Sequence, residues 1–336
     1  MATLLDLGER RILSEIIPKF VPEAGDDCAI LAAGNSRIVI TTDPVPPPAA
    51  AIIGGDSDPY WMGWLLVVIN ASDLAAAGAS PLGFLAAIEC PKEFSIPEFE
   101  RLLSGITDAC NSEGLKYVGG NLREADRLAA VGTAVGWTPK RKPLARAGGE
   151  AGDLLVSVGS GGRFWRDAML VRNGEAVEKI TSPLYAPKSQ LTAMAEISRY
   201  GLIHAAMDNS DGLLPTLQEL ANKNHCTVNL DIDLLKLYNE DDDEKLVKYW
   251  MGWGDWNVIA MMDRQHLPEI QRIGLSMGSA VIPIGEVIAG AAVVQLKSGE
   301  RCVRAPRLES ERFARDSWFS EGIEGYISRL ETLRLP

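Results

Sequence analysis

A chain of 336 residues with 46% hydrophobic and 23% charged side chains has the composition of an ordinary globular protein with room for two medium domains. Its formal charge of −12 argues against nucleic acid or an anionic membrane surface as partner, since both require clustered Lys and Arg. Five widely spaced cysteines without a C-x-x-C pair speak against a zinc or redox centre and fit a reducing cytoplasm, and the N-terminus lacks the apolar stretch of a signal peptide.

Residues 7–20 alternate apolar and charged positions at helical spacing, with Pro18 and Pro22 marking the exit. The turn Gly25-Asp26-Asp27 feeds a short apolar strand. Residues 37–42 predict a second strand that stops at Asp43, because Pro44, Pro46, Pro47 and Pro48 cannot extend a ladder. A Pro-, Gly- and Ala-rich loop follows to Pro59. Residues 61–81 are almost entirely apolar or small and predict a buried helix, yet Asn70 and Asp73 share one face of it. A buried carboxylate needs a cation, a donor or a ligand as partner.

Strands are predicted over 82–89, 115–118 and 128–137, with an amphipathic helix over 97–111 between the first two. Gly119-Gly120-Asn121 ends the second of these strands. Residues 141–150, basic and then Gly-rich, read as a crossing between domains. Beyond it come a strand at 154–158, the loop Gly159-Ser160-Gly161-Gly162, helices over 164–172 and 187–200, the acidic turn Asp208-Asn209-Ser210-Asp211-Gly212 and a helix over 214–222. An acidic run at 239–244 reads as a solvated loop, and strands are predicted over 256–261 and 282–287. The alternation of strands and helices implies an α/β or α+β architecture.

Asp26 with Asp27, Asp43, Asp73, and Asp208 with Asp211 stand at element ends or on buried faces. Turn and capping chemistry accounts for most such acids taken singly, and Asp73 resists that explanation best. If they converge, each pair repels by about 4 kcal/mol at about 4 Å with an effective dielectric near 20, which only bound divalent cations make tolerable. Oxygen ligands without His or Cys suit magnesium, and hence phosphoryl chemistry on an ATP-like substrate. Gly274-Leu275-Ser276-Met277-Gly278 fits the G-x-S-x-G hydrolase pattern, but no strong strand leads into Ser276 and only three histidines exist, so it reads as chance. The glycine loop at 159–162 is either a phosphate-side or a structural turn.

In this order the pieces resemble thiamine-monophosphate kinase and, more broadly, the superfamily that includes aminoimidazole ribonucleotide synthetase, selenophosphate synthetase and the hydrogenase-maturation carbamoyl dehydratase. The resemblance rests on Gly25-Asp26-Asp27-Cys28-Ala29, Thr41-Thr42-Asp43, Asn70-Ala71-Ser72-Asp73-Leu74-Ala75-Ala76-Ala77-Gly78-Ala79, Gly119-Gly120-Asn121, Arg146-Ala147-Gly148 with Gly152-Asp153, and Asp208-Asn209-Ser210-Asp211-Gly212-Leu213. It implies a two-domain α/β fold, with residues 1–148 an ATP- and metal-binding, dimerising domain and 149–336 a C-terminal domain completing the cleft. The N-terminal strands of two copies would form a barrel across a homodimer. Asp26, Asp27, Asp43, Asp73 and Asp211 would hold Mg2+ on the phosphates of ATP. Asp208, Ser210 and Asp211 would line the catalytic turn, while Thr42, Gly119, Gly120, Asn121 and Arg146 approach the nucleotide.

Three departures bear on what the resemblance implies. Asn121-Leu122 follows the Gly-Gly turn where the kinase has Asp-Thr, removing one formal charge. Pro44-Val45-Pro46-Pro47-Pro48 replaces an acidic, His-containing stretch, and Gly252-Trp253-Gly254-Asp255-Trp256-Asn257 replaces a Gly-Gly-Glu-Asp-Tyr-Glu-like motif. Three readings stay open: a kinase of thiamine phosphate, a divergent relative that uses ATP to activate another small molecule, and a catalytically silent nucleotide binder.

Overall fold

A short apolar run and a β-branched one, separated by Gly-Asn at 34–35, form an antiparallel hairpin from β1 (Ala29–Ala33) and β2 (Ser36–Pro44), with Gly34 at φ 59° in its two-residue turn. The structure, a computed structural model, describes residues 3–22, 25–139, 141–238, 244–308, 312–313 and 318–336. Most of the acidic run that begins at Asn239 falls outside them. With β3 (Ser80–Cys90), β4 (Lys116–Glu124) and β5 (Ala129–Pro139), the hairpin builds a five-stranded sheet in the order β1-β2-β5-β3-β4, antiparallel except for β3 beside β4. The C-terminal half carries β6 (Leu154–Val158), β7 (Ile203–Asp208), β8 (Cys226–Asp231), β9 (Val258–Met262), β10 (Val281–Ala289), β11 (Val293–Ser298) and β12 (Arg301–Arg304). These make a mixed seven-stranded sheet ordered β12-β11-β8-β10-β6-β9-β7. Neither sheet closes on itself.

The helix Pro59–Ala76 explains its own composition by its position. It packs on β2 and β5 of the first sheet, on the helix Ile96–Glu113, and on the helix Leu191–Ser198 and strands β7 and β9 of the second half. Surrounded by protein, it is apolar all round rather than on one stripe. Asp58 caps its start by accepting from the Tyr60 N–H (2.9 Å), with Pro59 in the first turn. Among the described residues no helix is long and apolar enough to cross a membrane.

Several predicted boundaries move, for local reasons. The central helix ends at Ala76 rather than Pro81, because Gly78 takes a left-handed conformation (φ 61°) against Ser198, and Ser80, Pro81 and Leu82 then open β3. Gly119-Gly120 does not end its strand; β4 runs on to Glu124 through a register shift opposite Phe84 and Leu85. Gly120 is bare there because a Cβ would lie 1.8 Å from the Ala86 carbonyl oxygen. The helix predicted over 7–20 starts after Gly8 (φ 76°) and runs from Glu9 to Lys19, changing along its length from α-helical to wider and then tighter turns. The helix predicted over 187–200 is confined to Leu191–Ser198, Gln190 before it being left-handed (φ 63°). The structure adds strands β7, β8, β11 and β12 and the helices Ile232–Leu237, Leu267–Ser276 and Trp318–Glu331 to the elements that the sequence pattern predicts.

Candidate active site

Three carboxylates from distant parts of the chain meet where the two halves join. One ligand oxygen each from Asp27, Asp73 and Asp208 lie within 4.8 Å of one another. Asp27 ends the acidic turn before β1, Asp73 projects from the last turns of the central helix, and Asp208 is the final residue of β7. Asp208 is buried, and Asp27 and Asp73 are half-buried as whole residues, with 5% of the Asp27 side chain exposed.

Hydroxyls and one cation hold this cluster in place. Thr41 donates to Asp73 Oδ2, and Ser72 donates to Asp208 Oδ2 (3.0 Å) with the Ile69 carbonyl also in reach at 2.9 Å. Arg146 pairs with Asp27 through Nε at 3.0 Å and through a second, shorter contact from its terminal nitrogen. The Arg146 backbone N–H donates to Asp26 (3.0 Å), and the guanidinium also faces Glu219 at 3.9 Å. Asp43 is placed by Asn70, whose Oδ1 accepts the Asp43 N–H (2.9 Å) while its amide donates to the Leu66 carbonyl (2.9 Å). The Asp43 and Asp73 carboxyls act on each other's protonation.

Such crowding shows in the protonation equilibria. Burial, then Asp208, Asp27 and Asp43, push the Asp73 carboxyl well above the usual range. Burial and Asp27 raise Asp208 to about 7, with Arg146 opposing them. Burial raises Asp27, again against Arg146, and burial also raises Asp43. Burial pulls Arg146 down, but Asp27, Asp208 and Glu219 together hold it above its ordinary value. The cluster is thus short of positive charge. Magnesium–oxygen bonds of about 2.1 Å set facing ligands about 4.2 Å apart, so three oxygens within 4.8 Å need little adjustment to share one ion. The donor set is all oxygen, which fits a hard divalent cation.

The remaining predicted residues divide by position. Asp26 is exposed and turned to the Arg146 N–H. Ser210 and Asp211 lie on the turn from β7 to the helix Leu213–Asn224, and the Asp211 charge acts on Asp208 from outside the cluster of three. Thr42 points to the opposite face of the first sheet, with its Oγ1 donating to the Gly132 carbonyl (2.8 Å), so Thr41, not Thr42, touches the acids. Strand alternation carries that signal, since Thr41 and Asp43 share a face. Gly119, Gly120 and Asn121 lie on the edge strand β4, three strands from Asp43 along the row Asp43, Gly132, Ala86, Gly120. At about 4.8 Å per strand that is roughly 14 Å, and the fold does not bring them to the cluster of their own chain.

The family models described as AIR synthase related protein, N-terminal domain, and AIR synthase related protein, C-terminal domain, match residues 25–138 and 150–295, which together are most of the chain. The chain belongs to the AIR synthase related family. A thiamine-monophosphate kinase of Halobacterium salinarum is 26% identical over 316 residues, covering 92% of this chain and 99% of that protein. One from Methanospirillum hungatei is 28% identical over 246 residues, covering 73% of this chain and 82% of its own length. Thiamine monophosphate kinase from Aquifex aeolicus shares the fold at TM-score 0.69 and 20% identity, covering 87% of this chain and 97% of that one. A structure described as AaThiL complexed with AMPPCP and TMP does so at TM-score 0.72 and 21% identity, over 90% and 97% of the two chains.

Two further motifs resolve within this AIR synthase related chain. In the glycine loop, the Gly162 N–H donates to Asp255 (2.6 Å), Asp255 also accepts from the Phe164 N–H (3.0 Å), and Gly161 packs on Trp250. Of the turn's donors, the Gly162 N–H is therefore spent on an internal carboxylate and the Gly159 N–H on the Ala280 carbonyl (2.8 Å). Ser276 is the last residue of a helix and donates to the Ile273 carbonyl (2.7 Å), which is not a strand-to-helix nucleophile elbow.

Proposed function

We propose that the chain is an ATP- and magnesium-dependent phosphotransferase, with thiamine phosphate as its default acceptor and thiamine diphosphate and ADP as products. The observation that carries the reading is the cluster of Asp27, Asp73 and Asp208 oxygens within 4.8 Å, drawn from both halves of the chain. Those three, with Asp43 beside Asp73, would hold magnesium, and Asp26 and Asp211 flank them. Bound there, the ion would neutralise charge on the nucleotide phosphates.

The chain's own groups do the rest. Thr41 and Ser72 fix the directions of the Asp73 and Asp208 carboxylates, and Arg146 balances Asp27. An acceptor phosphate oxygen attacks the γ-phosphorus as the bond to the bridging oxygen of ADP breaks. Because that acceptor is already a nucleophile near neutral pH, positioning and charge neutralisation suffice and no base is needed. Asp208, Ser210 and Asp211 line this turn.

The distance of Gly119, Gly120 and Asn121 from the acids supports a homodimer, in which a second copy offers them, together with Thr42, to the nucleotide. The sheet face away from the central helix is apolar and exposed at Leu85 (39%) and Val131 (41%), and a barrel across the dimer would cover it. We place the domain division at residues 148/149 and the enzyme in the cytoplasm.

A different acceptor is favoured by the motif at 252–257, which departs from the kinase pattern at Trp253, Gly254, Trp256 and Asn257 and keeps Asp255. Asp255, in the rewritten motif, is buried, capped by two backbone N–H groups and raised to about 7 by its burial, so it is committed to the fold rather than to a substrate. Purified protein is expected to form ADP with thiamine phosphate only when magnesium is present, and chelation is expected to abolish it. Turnover with another small phosphate or carbonyl acceptor alone would replace the default substrate. Tight Mg·ATP binding without turnover on any acceptor would make the chain a silent binder.

A further inference from the structure

The crossing between the two halves, residues 144–149, passes beside the acid cluster and carries Arg146. Hydrogen bonds hold it at several points: the Leu144 N–H to the Ala77 carbonyl (3.0 Å), the Ala206 N–H to the Ala145 carbonyl (2.9 Å), and three bonds to a single side chain, Asn224. Asn224 Oδ1 accepts from the N–H groups of Gly148 (2.8 Å) and Gly149 (2.7 Å), and its amide donates to the Arg146 carbonyl (2.9 Å) and to the Leu220 carbonyl (2.8 Å). Both backbone polar groups of Arg146 are therefore fixed, the N–H by Asp26 and the carbonyl by Asn224.

Asn224 closes the helix Leu213–Asn224, whose start follows the Asp208–Gly212 turn. A rigid helix thus links the turn that carries Asp208 to the residue that sets Arg146, over about 18 Å at about 1.5 Å per residue. On the same helix, Glu219 faces both the Arg146 guanidinium and Lys223. Gly148 and Gly149 allow the close approach: a Cβ on Gly148 would lie 2.5 Å from the His204 carbonyl oxygen, and one on Gly149 would lie 2.3 Å from the Met261 sulfur.

We propose that Asn224 is a positioning residue, which holds the crossing so that the Arg146 guanidinium stays paired with Asp27 beside Glu219 and keeps the acid cluster in its metal- and nucleotide-binding geometry. The inference deepens the phosphotransferase reading and rests on it for its nucleotide consequence. Asn224 does not touch the acids; of the positions assigned to nucleotide it touches Arg146 alone, at the backbone carbonyl, and it acts only through that residue.

Calorimetric binding of magnesium with AMPPCP to the full chain, in Asn224→Ala, Arg146→Gln and the double variant, tests it. Asn224→Ala is expected to weaken binding about tenfold, the size seen when a residue that orients a ligand is removed. The double variant is expected to match Arg146→Gln within about twofold, since Asn224 has nothing left to position. In turnover, the loss is expected in KM for Mg·ATP more than in kcat. Wild-type affinity in Asn224→Ala, or a double variant that loses the full product of the single effects, overturns the proposal. Asn224→Asp keeps the two accepted bonds but turns a carboxylate oxygen on the Arg146 and Leu220 carbonyls, and is expected to weaken binding at least as much as alanine, so a poorly folding alanine variant does not end the test. Hydrogen exchange without nucleotide supplies the independent arm: Gly148 and Gly149 amides are expected to exchange faster in Asn224→Ala, and unchanged protection overturns the anchoring. If the wild type binds no Mg·AMPPCP, the phosphotransferase reading fails, and the exchange result alone decides whether Asn224 sets the crossing.

Discussion

Asp73→Asn is expected to cut magnesium-dependent turnover by at least about 100-fold and, in the same protein, to raise the melting temperature of the metal-free chain. Both effects come from one fact. The Asp73 carboxyl is pushed well above its usual range by burial and by Asp208, Asp27 and Asp43, so without metal its charge opposes folding. Asparagine has nearly the same shape and keeps an oxygen to accept from Thr41. It removes a charge that a cation would otherwise balance. The stability gain is expected on the order of 1 kcal/mol, or about 2 °C in a chain of this size.

The sign of the pH dependence follows from the same shifts. Asp208 titrates at about 7 in the folded chain against 3.8 as its ordinary value. Between those limits the folded chain holds a proton that the unfolded chain has released, so the metal-free protein loses stability as pH rises through this window and gains it as pH falls. Magnesium binds the ionised form and should reverse the trend, raising the melting temperature most at pH 8. Thermal melts from pH 5 to 8, with magnesium and with chelator, check this. Unchanged turnover in Asp73→Asn would remove Asp73 from the site. A lower melting temperature in that variant would show that the carboxylate is already paired to the benefit of the fold.

How far this was legible in the sequence depended on whether the cause was local. Asp73 stood out because a carboxylate in an apolar helix contradicts its neighbours, and the strands around it carried clear β-branched or alternating runs. The stop at Gly78 was hidden in Ala75-Ala76-Ala77-Gly78-Ala79, where small residues give no period and only tertiary contact with Ser198 decides the turn. β7 was missed because Ile203-His204-Ala205-Ala206-Met207 has few β-branched residues, and burial in the sheet fixes it instead. Thr42 and Thr41 were separable by alternation with Asp43, a rule that needed applying one residue further. The pairing of Arg146 with Asp27, and its anchoring by Asn224, link residues far apart in the chain, and no spacing rule reaches them. The spread of Gly119 to Asn121 away from the acids likewise follows from strand order, which the strand pattern alone does not reveal.

Gly105→Ala is expected to destabilise the protein by about 3 kcal/mol or more, although alanine is the better helix former by about 1 kcal/mol. The helices Pro59–Ala76 and Ile96–Glu113 cross backbone to backbone. A Cβ on Gly105 would lie 2.0 Å from the Tyr60 carbonyl oxygen and 3.1 Å from the Trp64 nitrogen, and one on Gly63 would lie 2.2 Å from the Leu102 carbonyl oxygen. None of these atoms belongs to a flexible side chain that can swing away, so the helices must part. Parting them opens gaps around buried Leu66, Leu102 and Ile106, and in a close-packed core lost contact outweighs gained helix propensity. The neighbouring Ser104→Ala is the control: Ser104 is exposed and only donates back to the Glu100 carbonyl, so its loss is expected within about 0.5 kcal/mol. Melts of the two variants should differ by about 6 °C or more. Equal melting temperatures would mean that the crossing yields without strain. The same displacement carries Asp73 away from Asp27 and Asp208, because the helix that packs through Gly63 bears Asp73 near its far end. Folded Gly105→Ala, held below its melting temperature, is therefore expected to bind Mg·AMPPCP more weakly than Ser104→Ala. That result would tie the packing of two apolar helices directly to the geometry of the acid cluster.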